Sequence, residues 1–173
     1  KTFRNGESGR KHNPEFSMLE WYRPGFSLSD LMQELERLIN DVLGTDSAER
    51  LSYRDAFLHY VDIDPFEISD DLLAIKARDL AEYAGPELSR DDNLNLILSI
   101  CIEPFLGAEK PCFLYEYPPS QASLAQICLS SAEHQVAQRF ELYINGMELA
   151  NGYYELTDAQ EQSKRFDQDN QER

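Results

Sequence analysis

Residues 3–22 run Phe3-Arg4-Asn5-Gly6-Glu7-Ser8-Gly9-Arg10-Lys11-His12-Asn13-Pro14-Glu15-Phe16-Ser17-Met18-Leu19-Glu20-Trp21-Tyr22. They read as two extended segments around a polar loop, Asn5 to Pro14, and the chain then breaks at Pro24 and Gly25. Strand side chains alternate faces. One face of 15–22 therefore carries Phe16, Met18, Glu20 and Tyr22, and the other carries Glu15, Ser17, Leu19 and Trp21. A ring, a carboxylate and a phenol in a row suit a cationic ligand with an apolar stem. A half-buried strand with one solvated glutamate fits the same periodicity. The loop gathers Arg4, Arg10, Lys11 and His12, and guanidinium groups bind phosphate oxygens bidentately. Such a ribbon could hold a nucleotide, with phosphates on the loop and the base on Phe16. No Walker-type or Rossmann glycine pattern is present.

The far end of the chain holds a second ribbon. Asn145-Gly146 between extended segments is a strong two-residue hairpin signal within 138–156. With those residues as the turn, Ile144 faces Met147 and Tyr143 faces Glu148. Glu141, Tyr143 and Glu148 then share a face, with Glu141 diagonal to Glu148 at roughly 7–8 Å. Two carboxylates so placed repel unless a cation or proton intervenes. Magnesium is the natural cation, and two solvated glutamates on an exposed sheet face fit the same spacing. Asn151, Tyr153 and Glu155 form another polar-aromatic row. Simple parity puts that row on the opposite face, so a shared pocket requires a bulge between 148 and 151, which Gly152 would ease.

Between the ribbons the periodicity is helical. Leu28, Leu31, Met32, Leu35, Leu38, Ile39, Val42 and Leu43 predict an amphipathic helix, with a Ser27–Asp30 capping box and Gly44 as its C-cap. Shorter helices are predicted over 52–61 and 70–84. A more apolar helix over 91–103 should stop at Pro104. A strand is predicted over 113–117, and a polar terminal helix over 157–172 with Thr157 as N-cap. The fold class is α+β in one domain, with antiparallel strands at the two ends and helices between.

Sixteen Lys and Arg against 32 Asp and Glu give a net charge of −16 over 173 residues. Nucleic-acid affinity comes largely from neutralising phosphates, so this balance argues against a broad RNA or DNA surface and favours a basic protein partner. Cys101, Cys112 and Cys128 show neither metal-ligand nor disulfide spacing, which suits a reducing cytoplasm. No apolar run reaches the roughly 20 residues a membrane helix needs, and no signal peptide is seen. Lys1 falls inside an extended segment, so the start is expected to be a truncation. His59 and His134 have no partner spacing, and Trp21 is expected to be core.

The string Phe3 to Phe16 resembles motif 2 of the class II aminoacyl-tRNA synthetases. Met18-Leu19-Glu20-Trp21-Tyr22 and Glu148-Leu149-Ala150-Asn151-Gly152-Tyr153-Tyr154-Glu155-Leu156-Thr157-Asp158 are similar to the lysine-specific branch. Pro119-Ser120-Gln121-Ala122-Ser123-Leu124-Ala125-Gln126 resembles its short paralogues, which attach (R)-β-lysine to elongation factor P. The resemblance implies an antiparallel catalytic sheet flanked by helices, and ATP-dependent formation of a lysyl-adenylate with Mg2+. It implies Arg4 on the α-phosphate and lysine carboxylate as the catalytic group. Glu7, Arg10, Lys11, His12 and Glu148 would join Arg4 and Phe16 around ATP. Lysine would meet Glu20, Tyr22, Ala150, Asn151, Tyr153 and Glu155, and magnesium would meet Glu141 and Glu148. Implied partners are elongation factor P, lysine or β-lysine, and a second copy in the whole protein. A lysyl-tRNA synthetase core and a non-catalytic binding paralogue are the alternatives. Gly6 stands where motif 2 often has Glu, and Ala150 stands where lysyl-tRNA synthetases usually have Gly. Motifs 1 and 3 are missing from residues 1–173, so this fragment alone is expected to be inactive or nearly so.

Overall fold

The computed structural model describes residues 1–5, 9, 13–45 and 47–172, with side chains through Asp167. Gly6, Glu7, Arg10, Lys11 and His12 lie outside the described residues.

The early ribbon is short. β1 (Thr2–Phe3) pairs antiparallel with β2 (Glu15–Phe16), and Arg4 N donates to Pro14 O at 3.0 Å. The strand expected to continue to Tyr22 has no ladder beyond Phe16. Side-chain bonds position that segment instead. Trp21 Nε1 donates to Glu34 at 3.3 Å, and Arg23 grips the same carboxylate with Nε at 2.9 Å and Nη2 at 2.7 Å. Glu34 belongs to α1 (Leu28–Leu43). That helix begins at the expected capping box, with Ser27 N to Asp30 at 2.9 Å, and ends on Gly44 at φ 68. Trp21 is partly buried against the core, as its aromatic character suggests.

A five-stranded sheet follows. β3 (Glu49–Ser52) runs parallel to β4 (Cys112–Tyr117), so the sheet is mixed rather than purely antiparallel as expected. β3 is short and charged, without the alternation that would mark it in sequence. β4 pairs antiparallel with β6 (Gln135–Ile144). The other edge of β6 takes β5 (Ile127–Leu129) at its start and β7 (Met147–Tyr153) along the rest. Asn145 and Gly146 turn the β6–β7 hairpin with φ 51 and 67, the left-handed pair such a turn demands.

Two helical layers cover the sheet. Leu142, Phe140 and Phe113 face α1 through Met32 and Leu35, with the two phenyl rings edge to face at 5.3 Å. The opposite face packs under α2 (Tyr53–Val61), α3 (Asp70–Leu80) and α4 (Arg90–Ile97). After α4 the chain widens into a π turn at Leu98–Ile102 and tightens into a 3-10 turn at Glu103–Phe105. Pro104 sits inside that last turn, where its missing N–H breaks no helical bond. The terminal helix α5 (Ala159–Glu172) is capped by Asp158, which accepts from Gln160 N at 2.8 Å and Glu161 N at 3.0 Å. Asp158 therefore takes the place expected for Thr157. Arg165 docks α5 by donating to Ser123 O at 3.1 Å and Ala125 O at 2.7 Å.

The hairpin tip is tied to the turn after Phe105. Asn145 N donates to Gly107 O and Gly146 N to Leu106 O, both at 2.8 Å. Gly107 has φ +73, and a Cβ there would lie 2.3 Å from Tyr143 O. Gly107→Ala is expected to cost about 2 kcal/mol or more through strain and backbone collision. Urea unfolding should show a lower midpoint with an unchanged slope.

Candidate functional site

Two bulges decide what the sheet presents to the cleft. Between β4 and β6, Tyr115 faces Phe140 but Tyr117 faces Ala137, so Arg139 and Gln138 stand opposite the single Glu116, which has φ 62. This puts Tyr117, not Glu116, on the cleft face. In β7, Glu148 faces Tyr143 and Ala150 faces Leu142, leaving Leu149 extra. This is the irregularity expected between 148 and 151. It sets Asn151 opposite Glu141 and Tyr153 opposite Arg139. Glu141, Tyr143, Glu148, Asn151 and Tyr153 consequently share one face. Ala150 does not; it packs with the Phe113–Phe140–Leu142 cluster on the α1 side. Any influence of its methyl on a ligand must therefore act through strand spacing.

Glu141 is 7% exposed and held by three donors. Tyr117 OH and Tyr143 OH donate to Oε2 at 2.7 Å and 2.6 Å, and Arg139 Nη2 donates to Oε1. Arg139 also donates to Gln121 O at 3.1 Å, and its guanidinium lies 4.6 Å from the Tyr117 ring centroid. Three donors leave Glu141 a single lone pair on Oε1 for a ligand. Burial and the Glu141 carboxylate push both phenols upward, so they remain protonated donors. Glu103, at the end of the π turn, approaches the same cluster, with Tyr143 OH 3.3 Å from its Oε1.

Glu148 differs. The cleft walls, then Glu141, push its carboxyl up to about 7, against the downward pull of Arg139 and Arg4. Its side chain is nonetheless reached by solvent, so only a small part of that shift counts toward stability. The folded protein retains a proton that the unfolded chain releases at the usual carboxylate value. Glu148 thus favours folding at acid pH, and its contribution fades as pH rises through about 7. Between pH 5 and 8, roughly the span of this titration, the melting temperature is expected to fall slightly. Glu148→Gln should remove that component of the slope.

The early ribbon faces this row. Arg4 is close enough to lower Glu148, and its guanidinium lies 5.3 Å from the Phe16 ring centroid. Tyr22 OH donates to Glu20 at 2.7 Å, which raises the phenol, and Glu155 and Tyr153 add to the effect. Glu155 and Glu20 in turn raise Tyr153, after burial. The structure therefore brings Arg4 and Phe16 toward Glu148, and Glu20 and Tyr22 toward Tyr153 and Glu155. Sequence reasoning did not single out Tyr117, Arg139 or Glu103. Arg139 shares the strand parity of Glu141, and that was its available signal.

A cavity of about 670 Å3 opens between this sheet face and α4, bordered by Glu103, Tyr117, Arg139, Glu141 and Glu148. Among the described residues, no three His, Cys, Asp or Glu side chains converge to hold a metal ion. Among them, too, no helix is long and apolar enough to cross a membrane.

Known proteins are similar to this chain along its whole length. The elongation factor P–(R)-β-lysine ligase of Yersinia enterocolitica serotype O:8 / biotype 1B is 51% identical over 175 residues, covering all of this chain and 53% of that protein. Ligases of the same name from Salmonella gallinarum and Proteus mirabilis match at the same identity and coverage. The chain thus spans about half the length of these curated relatives. A model of the class II tRNA synthetases (D, K and N) matches residues 1–173, so the chain belongs to the class II tRNA synthetase family.

Proposed function

We propose that this chain forms the adenylating cleft of an ATP-dependent ligase that activates lysine, (R)-β-lysine by preference, and transfers it to a lysine side chain of elongation factor P. One observation carries the reading. Arg4 and Phe16 stand toward Glu148 while Glu20 and Tyr22 stand toward Tyr153 and Glu155, in a chain 51% identical to ligases of that name. Motifs 1 and 3 are expected outside residues 1–173, as is a homodimer contact.

Arg4 offers a guanidinium to the α-phosphate and to the lysine carboxylate, and Phe16 offers a ring to adenine once Arg4 swings off it. Glu7, Arg10, Lys11 and His12 belong to the loop that would follow the outer phosphates. Glu20, with Tyr22 on its carboxylate, and Glu155 receive the lysine ammonium groups. Asn151 and Tyr153 line the stem. The lysine carboxylate oxygen attacks the α-phosphorus and pyrophosphate leaves. The acceptor amine then attacks the adenylate carbonyl carbon. A C–N bond forms, the C–O bond to phosphate breaks, AMP leaves with the electron pair, and the amine proton passes to water. The protein contributes position and charge rather than a covalent intermediate.

Glu148 fits a cation, because its carboxyl is pushed up among other acids. Glu141 can add one contact, and nucleotide oxygens must complete the shell, which is how magnesium is commonly held. Bound there, magnesium would supply charge neutralisation for the leaving pyrophosphate. The net charge of −16 favours a basic protein acceptor over tRNA.

The test is ATP–pyrophosphate exchange by the full-length protein with α-lysine and (R)-β-lysine, followed by transfer to elongation factor P or to tRNA. Exchange with (R)-β-lysine favoured and elongation factor P labelled is the expected result. Charging of tRNA would replace this reading with a lysyl-tRNA synthetase. Absence of ATP binding would point to a non-catalytic paralogue. Residues 1–173 alone are expected to show little or no exchange.

A further inference from the structure

We propose that the α4 wall of the cleft is the entry subsite for the acceptor's lysine side chain; this rests on the adenylating role proposed above. The cavity reaches the polar face of α4 and the π turn, and its lining includes neither Arg4 nor Phe16. Asp92, Asn95, Ser99 and Glu103 line it at spacings of three, four and four, which place them on one helical face. Asp92, Asn95 and Ser99 are exposed, and none has a part in activating the first lysine. Leu88 and Leu96 add apolar flanks.

Charge selects the occupant. Among the described residues, Asp92, Glu103, Glu141 and Glu148 border this space, against one guanidinium, Arg139. At the α4 end, away from the carboxylates proposed for magnesium, Asp92 and Glu103 disfavour anions and attract a cation. A bare metal ion finds no convergent set of three acidic or histidine ligands among the described residues. Amide and hydroxyl groups, aliphatic flanks and negative potential together match a primary ammonium on a hydrocarbon stem. Both ammonium groups of the lysine being activated are already assigned to Glu20, Tyr22 and Glu155, across the sheet beside Tyr153. The α4 face therefore serves a further amine, the one the acceptor brings. The cavity is continuous from this face to Glu141 and Glu148, so a side chain lying along it reaches the carboxylates beside which the adenylate is proposed to form.

The experiment uses the full-length protein with Asn95→Leu and Ser99→Leu combined, both at exposed positions. Lysine-dependent ATP–pyrophosphate exchange should stay within about twofold of wild type. KM for elongation factor P should rise roughly tenfold or more, the scale of one or two lost polar contacts. Asp92→Asn, which keeps an acceptor for Ser89 Oγ, should raise the same KM and flatten its salt dependence. If the leucine variant fails to fold, Asn95→Ala with Ser99→Ala is read by the same criteria. Unchanged transfer kinetics with intact exchange would overturn the subsite. Parallel loss of exchange and transfer in a folded variant would also overturn it, by assigning the stripe to activation. A wild-type protein without lysine-dependent exchange would sink the adenylating role, and the subsite with it.

Discussion

Arg4→Ala is expected to lower lysine-dependent pyrophosphate exchange in the full-length protein by about 100- to 1000-fold, as loss of a charged group at a developing phosphate charge commonly does. Arg4 is an exposed residue at the end of β1, and its guanidinium rests 5.3 Å from the Phe16 ring centroid. Truncation of an exposed side chain usually costs little, so the melting temperature should hold. Its proposed role is electrostatic. It already draws Glu148 downward, which places it at the end of the cleft where the α-phosphate is proposed to lie. Lysine at the same position keeps the charge but loses the planar fork, so it should restore only part of the rate. Full activity in Arg4→Ala would remove the central electrophilic contact of the proposed chemistry.

Glu141→Ala and Glu148→Ala are expected to separate sharply, although the two residues share one sheet face. Glu141 anchors Arg139 and two phenols. Its removal leaves a guanidinium that is 19% exposed without its carboxylate, strands the buried Tyr117 hydroxyl, and leaves Tyr143 only its 3.3 Å bond to Glu103. A cost of about 3–5 kcal/mol is expected, read as a lower urea midpoint. Glu148 is solvent-reached and burdened by neighbouring acids. Its removal should change stability by only about 0.5 kcal/mol, the usual range for a surface position. Exchange should fall in both. Equal destabilisation by the two substitutions would contradict the division into one anchored and one available carboxylate.

Much of this fold was legible one segment at a time. The Ser27–Asp30 box, Gly44, and the Asn145-Gly146 turn with its first two pairings appear where local chemistry puts them. The shared face of Glu141 and Glu148 followed from counting residues around that turn. β3 was hidden because four residues with two charges carry no period, and they form a strand only because β4 lies alongside. The early strand was overextended because Phe16 to Tyr22 alternates like a strand. Its outer half is held by Glu34 of α1 instead of by a neighbouring strand. Tyr117 escaped notice because a residue at φ 62 shifts its parity, and Arg139 because an arginine beside a glutamate also fits a solvated surface.

What the residues determined unaided was local: caps, turns, alternation, and which chemical groups each ribbon carries. Those outcomes depend on steric and hydrogen-bonding preferences spanning only a few positions. The tertiary structure alone decided which groups meet. The bulges at Glu116 and Leu149 rotate Tyr117 and Asn151 onto one face, and three donors from two strands close on Glu141. Register and burial are set by distant partners, so no short window of sequence contains the energies that select them.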